Sequence, residues 1–126
     1  MKVFIIAILV FVCLVTGVGF SESRLHRENE ALCAMAKQTE WLVLKGETEQ
    51  ACEKLGMLKN RFFEKAPLRM AFSDHTKSEK MAEYLLDAEK KLETGVPEDA
   101  VSSLRNFHFL LESFDENMKI KWHNIL

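Results

Sequence analysis

Two stretches decide the fold of this chain: LKGETEQACEKLGMLKNRF at residues 44–62 and ETGVPEDAVSSLRNFHFLL at residues 93–111. They align without a gap on Gly46 and Gly95. The matched positions are small or apolar in both: Ala51 with Ala100, Leu55 with Leu104, Leu58 with Phe107, and Phe62 with Leu111. In each stretch a glycine turn separates two helical patterns, and an alanine follows where the helices approach closely. This predicts a structural repeat of two αα-hairpins.

Apolar residues recur at steps of three and four after Glu22, which is the spacing of one face of a helix. They predict helices over residues 22–44, 49–65, 68–93 and 98–115. The stripes are Leu25, Asn29, Leu32, Ala36, Thr39 and Val43; Ala51, Leu55, Leu58 and Phe62; Met81, Leu85, Ala88 and Leu92; and Ala100, Leu104, Phe107, Leu111 and Phe114. No long stretch alternates with a period of two, so we expect an all-α protein.

Two hairpins with one apolar stripe each favour an antiparallel four-helix bundle. A short solenoid is the alternative, but two repeats rarely suffice for its stability. The predicted helix ends agree with this reading. Gly46 and Gly95 suit left-handed C-caps, Thr48 is expected to cap the second helix, and Pro67 and Pro97 are expected in the first turns of the third and fourth.

Residues 3–20, VFIIAILVFVCLVTGVGF, carry no charge. As a helix, a run of this length just crosses a hydrocarbon core of about 30 Å. We therefore divide the chain into a membrane anchor or uncleaved signal (1–21) and an extracytoplasmic helical domain (22–126). A cleaved signal peptide, with small residues at Gly17 and Gly19, is the alternative. Lys2 favours a cytoplasmic N-terminus.

The charge balance excludes some classes of function. The net charge is −2, so the chain lacks the excess of basic residues that is typical of nucleic-acid-binding proteins. The sequence contains neither a Gly-x-Ser-x-Gly elbow nor a Gly-rich phosphate loop. We therefore expect no catalysis and no cofactor.

Two cysteines fall in the outer domain, Cys33 and Cys52. The hairpin register places Cys52 about 10 Å along the helix axis from the position opposite Cys33. A disulfide needs Cα atoms within about 7 Å. We interpret both as small, buried apolar residues, with a disulfide as the alternative.

Two histidines each have a glutamate four residues on: His75 with Glu79, and His108 with Glu112. Such pairs on facing helices could form a four-ligand metal site. They are also common as ordinary hydrogen bonds on a helix surface. A metal-binding bundle is therefore the alternative to a protein without metal.

The last residues, KIKWHNIL (119–126), are unusual for a polar helical protein. Trp122, Ile125 and Leu126 form an apolar group, and such a group indicates a contact. The tail either folds back onto the bundle or docks onto a partner or the membrane surface.

Three elements carry a resemblance to a known family: Phe72, Asp74 and His75 with Glu79; Leu104 with Phe109, Leu110, Leu111 and Glu112; and the terminal Asn124, Ile125 and Leu126. With these the chain resembles the bacterial family known as domain of unknown function 4363, short proteins with one N-terminal membrane helix. Ser78 departs from the apolar residue expected there, which puts the local packing in question. The family supplies no activity, but its members are often encoded beside a multi-pass membrane protein.

The resemblance implies a membrane-protein partner, of the YetF type. It also implies a binding or structural motif of Asp74, His75, Glu79, Asn124, Ile125 and Leu126, to which the apolar group of the tail adds Trp122. Asn124 would fix a turn that brings the last two residues into a groove. Asp74 and His75 would either cap the continuation of the third helix or hold this tail, for example by a bond from His75 to the terminal carboxylate. The sequence therefore predicts a single-pass, membrane-anchored accessory or interaction protein outside the cytoplasmic membrane.

Overall fold

The computed structural model describes residues 1–67, 69 and 75–125, and the side chains of 1–20, 23–67, 69 and 76–117. Over these residues the protein is all-helical and contains no strand, as predicted. Its helices are α1 (Lys2–Leu44), α2 (Thr48–Glu64), α3 (His75–Glu93) and α4 (Pro97–Ile125). Asp74 and Leu126 lie outside the described residues.

Two helices are longer than the apolar pattern predicts. The expected anchor and the expected first helix of the domain form one continuous helix of 43 residues, α1. Helix α4 does not end near residue 115 but continues to Ile125. The turn expected at Asn124 is therefore wrong, because that residue lies within the helix. Nothing between Glu116 and Ile125 is a glycine or a proline, so no strong helix breaker stops α4 earlier.

The two glycine turns are as predicted. Gly46 has φ +82° and Gly95 has φ +78°, a conformation that costs glycine nothing because it has no Cβ. Pro97 begins α4 and places Glu98 in its first turn, at the positive end of the helix. The expected cap at Thr48 is wrong, because Thr48 is already helical and the N-cap residue, Glu47, makes no side-chain cap hydrogen bond.

The core consists of the four stripes. Every stripe residue named above is buried, and Met35 and Val101 join them. Helix α1 packs against α2 and α4, and α3 packs against the same two helices. At the centre, the rings of Phe62 and Phe107 meet edge to face with their centroids 5.6 Å apart. The apolar periodicity therefore identified the core correctly.

The cysteines are free thiols. Cys33 is half-buried against the core, close to expectation. Cys52 is exposed, so the expectation that it is buried is wrong. It follows the core residue Ala51 by one position, and one helical step of 100° turns it away from the stripe.

Candidate functional site: a polar groove between α1 and α4

A groove of about 520 Å³ runs between α1 and α4. Most of the residues that line it have polar or charged side chains: His26, Asn29, Glu30, Cys33, Ala34, Lys37, His108, Glu112, Asp115 and Glu116. The two helices run in opposite directions there. His26 pairs with Asp115, and Glu40, further along α1, pairs with Arg105, earlier in α4, at 2.7 Å.

His26 lies between two carboxylates in this groove. Its Nδ1 is 2.7 Å from Oδ2 of Asp115 on α4, and its Nε2 is 3.1 Å from Oε1 of Glu30, one turn on in α1. A carboxylate accepts hydrogen bonds, and only the imidazolium form donates from both ring nitrogens. The charged form of His26 therefore satisfies both neighbours and joins the two helices.

Asn29 and Arg69 extend this contact into the core, where both are buried. Oδ1 of Asn29 accepts from Nε and Nη2 of Arg69, at 3.3 and 3.2 Å. Nη1 of Arg69 donates to the carbonyl oxygen of Phe62 at 2.8 Å, and the guanidinium carbon lies 4.8 Å from the Phe62 ring centroid. Burial lowers the pKa of Arg69 to about 10, because desolvation disfavours the charged form.

Asn29 also connects the two ends of this network. Its Nδ2 donates to Oδ1 of Asp115 at 3.4 Å, while its Oδ1 accepts from Arg69. Polar side chains thus run without interruption from Arg69 through Asn29 and Asp115 to His26. Because buried polar groups are costly unless they are bonded, the sharing of Asn29 stabilises the contact between α1, α4 and the segment that contains Arg69.

Cys33 lines the same groove as this network, but its thiol is poorly activated as a nucleophile. The pKa of its thiol is raised to about 11, mainly by burial and in addition by the carboxylates of Glu112 and Asp115. The thiolate is the reactive form of cysteine. At neutral pH Cys33 is therefore a protonated, weakly nucleophilic thiol.

The two predicted histidine–glutamate pairs lie in different places. His108 Nε2 bonds Glu112 Oε1 at 2.9 Å, and both line the groove beside α1. Glu79 lies on α3, is exposed, and is not among the lining residues. His75 begins α3, and its side chain is outside those described. Among the described residues, no three His, Cys, Asp or Glu side chains form a group that could hold a metal ion.

Sequence reasoning missed the residues that build this site: His26, Asn29, Arg69 and Asp115. One signal was present, because Asn29 occupies a stripe position where an apolar residue is expected. A buried asparagine needs partners, which makes it a marker of a polar network. Nothing in the local sequence identified Arg69 or Asp115 as those partners, since they are distant in the chain.

In comparisons with family models, with curated proteins and with solved structures, nothing matches this chain. The resemblance to domain of unknown function 4363 thus stays a prediction that rests on the quoted motifs.

Proposed function

We propose that this chain is a single-pass, membrane-anchored helical accessory protein. Its N-terminus would lie in the cytoplasm and its outer domain, residues 22–126, outside the cytoplasmic membrane, where it would bind a partner without catalysing a reaction. The observation that carries the proposal is the continuity of α1. One helix contains both the apolar run and residues that form one side of the hydrophobic core.

The two parts of α1 have opposite surroundings. Phe4, Phe11 and Phe20 are 70, 67 and 64% exposed, whereas Leu25 and Leu32 are fully buried in the domain. By length and composition α1 is apolar enough to cross a membrane. Because burial of one large apolar side chain is worth about 1.5–3 kcal/mol, lipid around the exposed run would contribute on the order of 20 kcal/mol.

The outer domain fits the proposed antiparallel four-helix bundle of two αα-hairpins. Two glycine turns, at Gly46 and Gly95, join α1 to α2 and α3 to α4. The four helices contact one another in a ring, α1 with α2, α2 with α3, α3 with α4 and α4 with α1. Lys59 on α2 and Glu89 on α3 add an ion pair at 2.8 Å between the two hairpins.

The polar network supports a structural role for its residues. The guanidinium of Arg69 is hydrogen-bonded to Asn29 and to Phe62, both ring nitrogens of His26 are engaged, and Cys33 is a neutral thiol at neutral pH. A general base or nucleophile needs a reactive atom directed at a substrate. A role in binding through the surface therefore fits these residues better than a role in catalysis.

The surface offers apolar side chains for such an interaction. Trp41, Leu44, Met57 and Phe109 are each more than half exposed. Trp41 is covered on one face by Lys45, whose Nζ lies 3.6 Å from its ring centroid. Exposed tryptophan and phenylalanine are typical of interfaces. The proposed partner is a membrane protein, and the YetF type is the one that the family resemblance implies.

The natural cysteines test the anchor and its orientation. A variant with Cys13→Ser and Cys33→Ser keeps only the exposed Cys52 of the outer domain. We expect a membrane-impermeant maleimide to label it on intact cells, and alkaline carbonate to leave the protein in the membrane pellet. The matched variant that keeps only Cys13, inside the span, should stay unlabelled. Labelling of Cys52 only after lysis would overturn the orientation, and an intact mass that lacks the apolar run would replace the anchor with a cleaved signal.

A photo-crosslinking residue tests the interaction. Placed at Phe109, which is 71% exposed, it should give a discrete product that contains a multi-pass membrane protein. The same residue at the exposed Gln50 of α2 is the matched control for random collision. Equal products from both positions, or none from either, would overturn the proposed interaction through this surface.

A further inference from the structure

Helix α4 runs back toward the anchor end of α1. His26 pairs with Asp115, and Glu40 pairs with Arg105, so residue numbers fall along α1 as they rise along α4. From Asp115 the helix continues ten further residues to Ile125, which adds about 15 Å at 1.5 Å per residue. The same distance along α1, from His26, reaches back into the apolar run.

This register places the end of α4 at the level where the apolar run stops. The two pairs put Trp122 opposite about residues 19–23 of α1, and Ile125 opposite about residues 16–20. The last apolar residue of the run is Phe20, and charge begins at Glu22. Trp122 is therefore level with the boundary between hydrocarbon and water, if α1 spans as proposed.

The burial pattern of α1 agrees with this placement. Val15 and Gly19 are half-buried, whereas the other residues from 2 to 20 are exposed. Residues 15, 19 and 26 share one side of a helix, by steps of four and seven. His26 shows that this side faces α4. The side of α1 that faces α4 in the domain is therefore also the less exposed side of the apolar run.

We propose that residues 118–125 of α4 lie in the head-group layer of the bilayer beside the anchor, as a second membrane contact. The inference rests on the proposed anchor. The segment contains Lys119, Lys121, Trp122 and Ile125 and no acidic residue. Tryptophan is enriched at the membrane interface, lysines extend their charges to the head groups, and basic residues are attracted to anionic lipid.

This contact gives the terminal apolar residues a role. With two points of attachment, the outer domain would be held upright over the membrane and would not pivot on α1 alone. Trp41 lies near the opposite end of α1, about 30 Å further along the axis than residues 19–23. The two tryptophans of the chain therefore report on the two ends of the domain.

Tryptophan fluorescence tests the proposal on the full-length protein, reconstituted in vesicles of phosphatidylcholine and phosphatidylglycerol. Trp41→Phe leaves Trp122 as the only tryptophan, and Trp122→Phe leaves Trp41. Lipids brominated near the head-group end of their acyl chains quench indole at short range. We expect loss of Trp122 emission and a shift of its maximum to shorter wavelength, with Trp41 emission unchanged.

The possible results separate this inference from the proposed anchor. If the protein floats with the vesicles while neither tryptophan is quenched, the anchor stands and the second contact is refuted. Quenching of both would also refute it, because the domain would then lie flat on the bilayer. A protein that does not float at all would overturn the anchor and this inference with it.

A second variant tests the basic residues without moving the reporter. Lys119→Glu with Lys121→Glu, in the Trp41→Phe background, should reduce the quenching of Trp122. The matched control, Lys90→Glu with Lys91→Glu, makes the same change in net charge in the last turn of α3. It should leave the quenching of Trp122 unchanged. Equal effects of both pairs would contradict a local contact of residues 118–125 with the lipid.

Discussion

Asn29 holds the guanidinium of Arg69 by accepting hydrogen bonds from both Nε and Nη2, at 3.3 and 3.2 Å. A buried arginine usually has a carboxylate as its partner, but among the residues that the structure describes the hydrogen-bond acceptors of Arg69 are the neutral Asn29 and the Phe62 carbonyl. Asp115 lies one bond further on, at the amide nitrogen of Asn29. Asn29 on α1 is therefore bonded both to Arg69, in the segment that follows α2, and to Asp115 on α4.

Asn29→Leu should destabilise the domain by about 2–3 kcal/mol, because it leaves a buried cation without its side-chain acceptor. Urea unfolding of the full-length protein in mild detergent measures the free energy. Gln38→Leu, at an exposed position of the same helix, is the control and should stay within about 0.5 kcal/mol of the unmodified protein. Equal stabilities of the two variants would show that the network contributes little.

Two neighbouring phenylalanines on α4 test the packing of the core. Phe107 is fully buried and 71% of Phe109 is exposed. Phe107→Ala should cost about 3–5 kcal/mol, since it removes a large side chain and leaves a cavity. Phe109→Ala should change the free energy of unfolding by no more than about 0.5 kcal/mol. A large loss from Phe109→Ala would mean that the domain packs its α4 surface differently from this structure.

Glycine-to-alanine substitutions should have opposite signs in the turns and in the helix. Gly46 and Gly95 have positive φ, so Gly46→Ala and Gly95→Ala should each cost about 1 kcal/mol of backbone strain. Gly56 lies within α2, and an added Cβ there meets nothing within 4 Å. Gly56→Ala should therefore stabilise the protein by about 0.5–1 kcal/mol. Thermal melts that rank the three variants alike would contradict the turn assignment.

The apolar pattern predicted the core because a stripe residue can be recognised from the spacing within its own helix alone. Leu55 and Leu104 follow from spacing alone, and the turns follow from Gly46 and Gly95. The polar network did not follow, because His26 and Asp115 are 89 residues apart in the chain. Nor did the length of α4, since the apolar stripe ends near Phe114 while helical propensity continues beyond it. Long-range pairing, and a helix that continues beyond its apolar stripe, leave no periodic signal in the sequence.

The Cys33 thiol gives a pH-dependent prediction. Its pKa is raised from 9.0 to about 11, first by burial and then by Glu112 and Asp115. Between these pH values the unfolded chain releases this proton while the folded domain keeps it. The folded state then binds more protons, so the contribution of Cys33 to stability is complete below pH 9.0 and is lost as the pH rises toward 11.

Alkylation of the folded protein measures this directly, because the thiolate is the reactive species. In a variant with Cys13→Ser and Cys52→Ser, the rate constant for iodoacetamide should keep rising until about pH 11. Glu112→Gln should move that profile to lower pH, because it removes one of the carboxylates that raise the pKa. Glu47→Gln, in the turn after α1, should leave it in place. A rate that levels off near pH 9 in all three proteins would show that Cys33 is solvated as in the unfolded chain, and that the groove between α1 and α4 is open to water around the thiol.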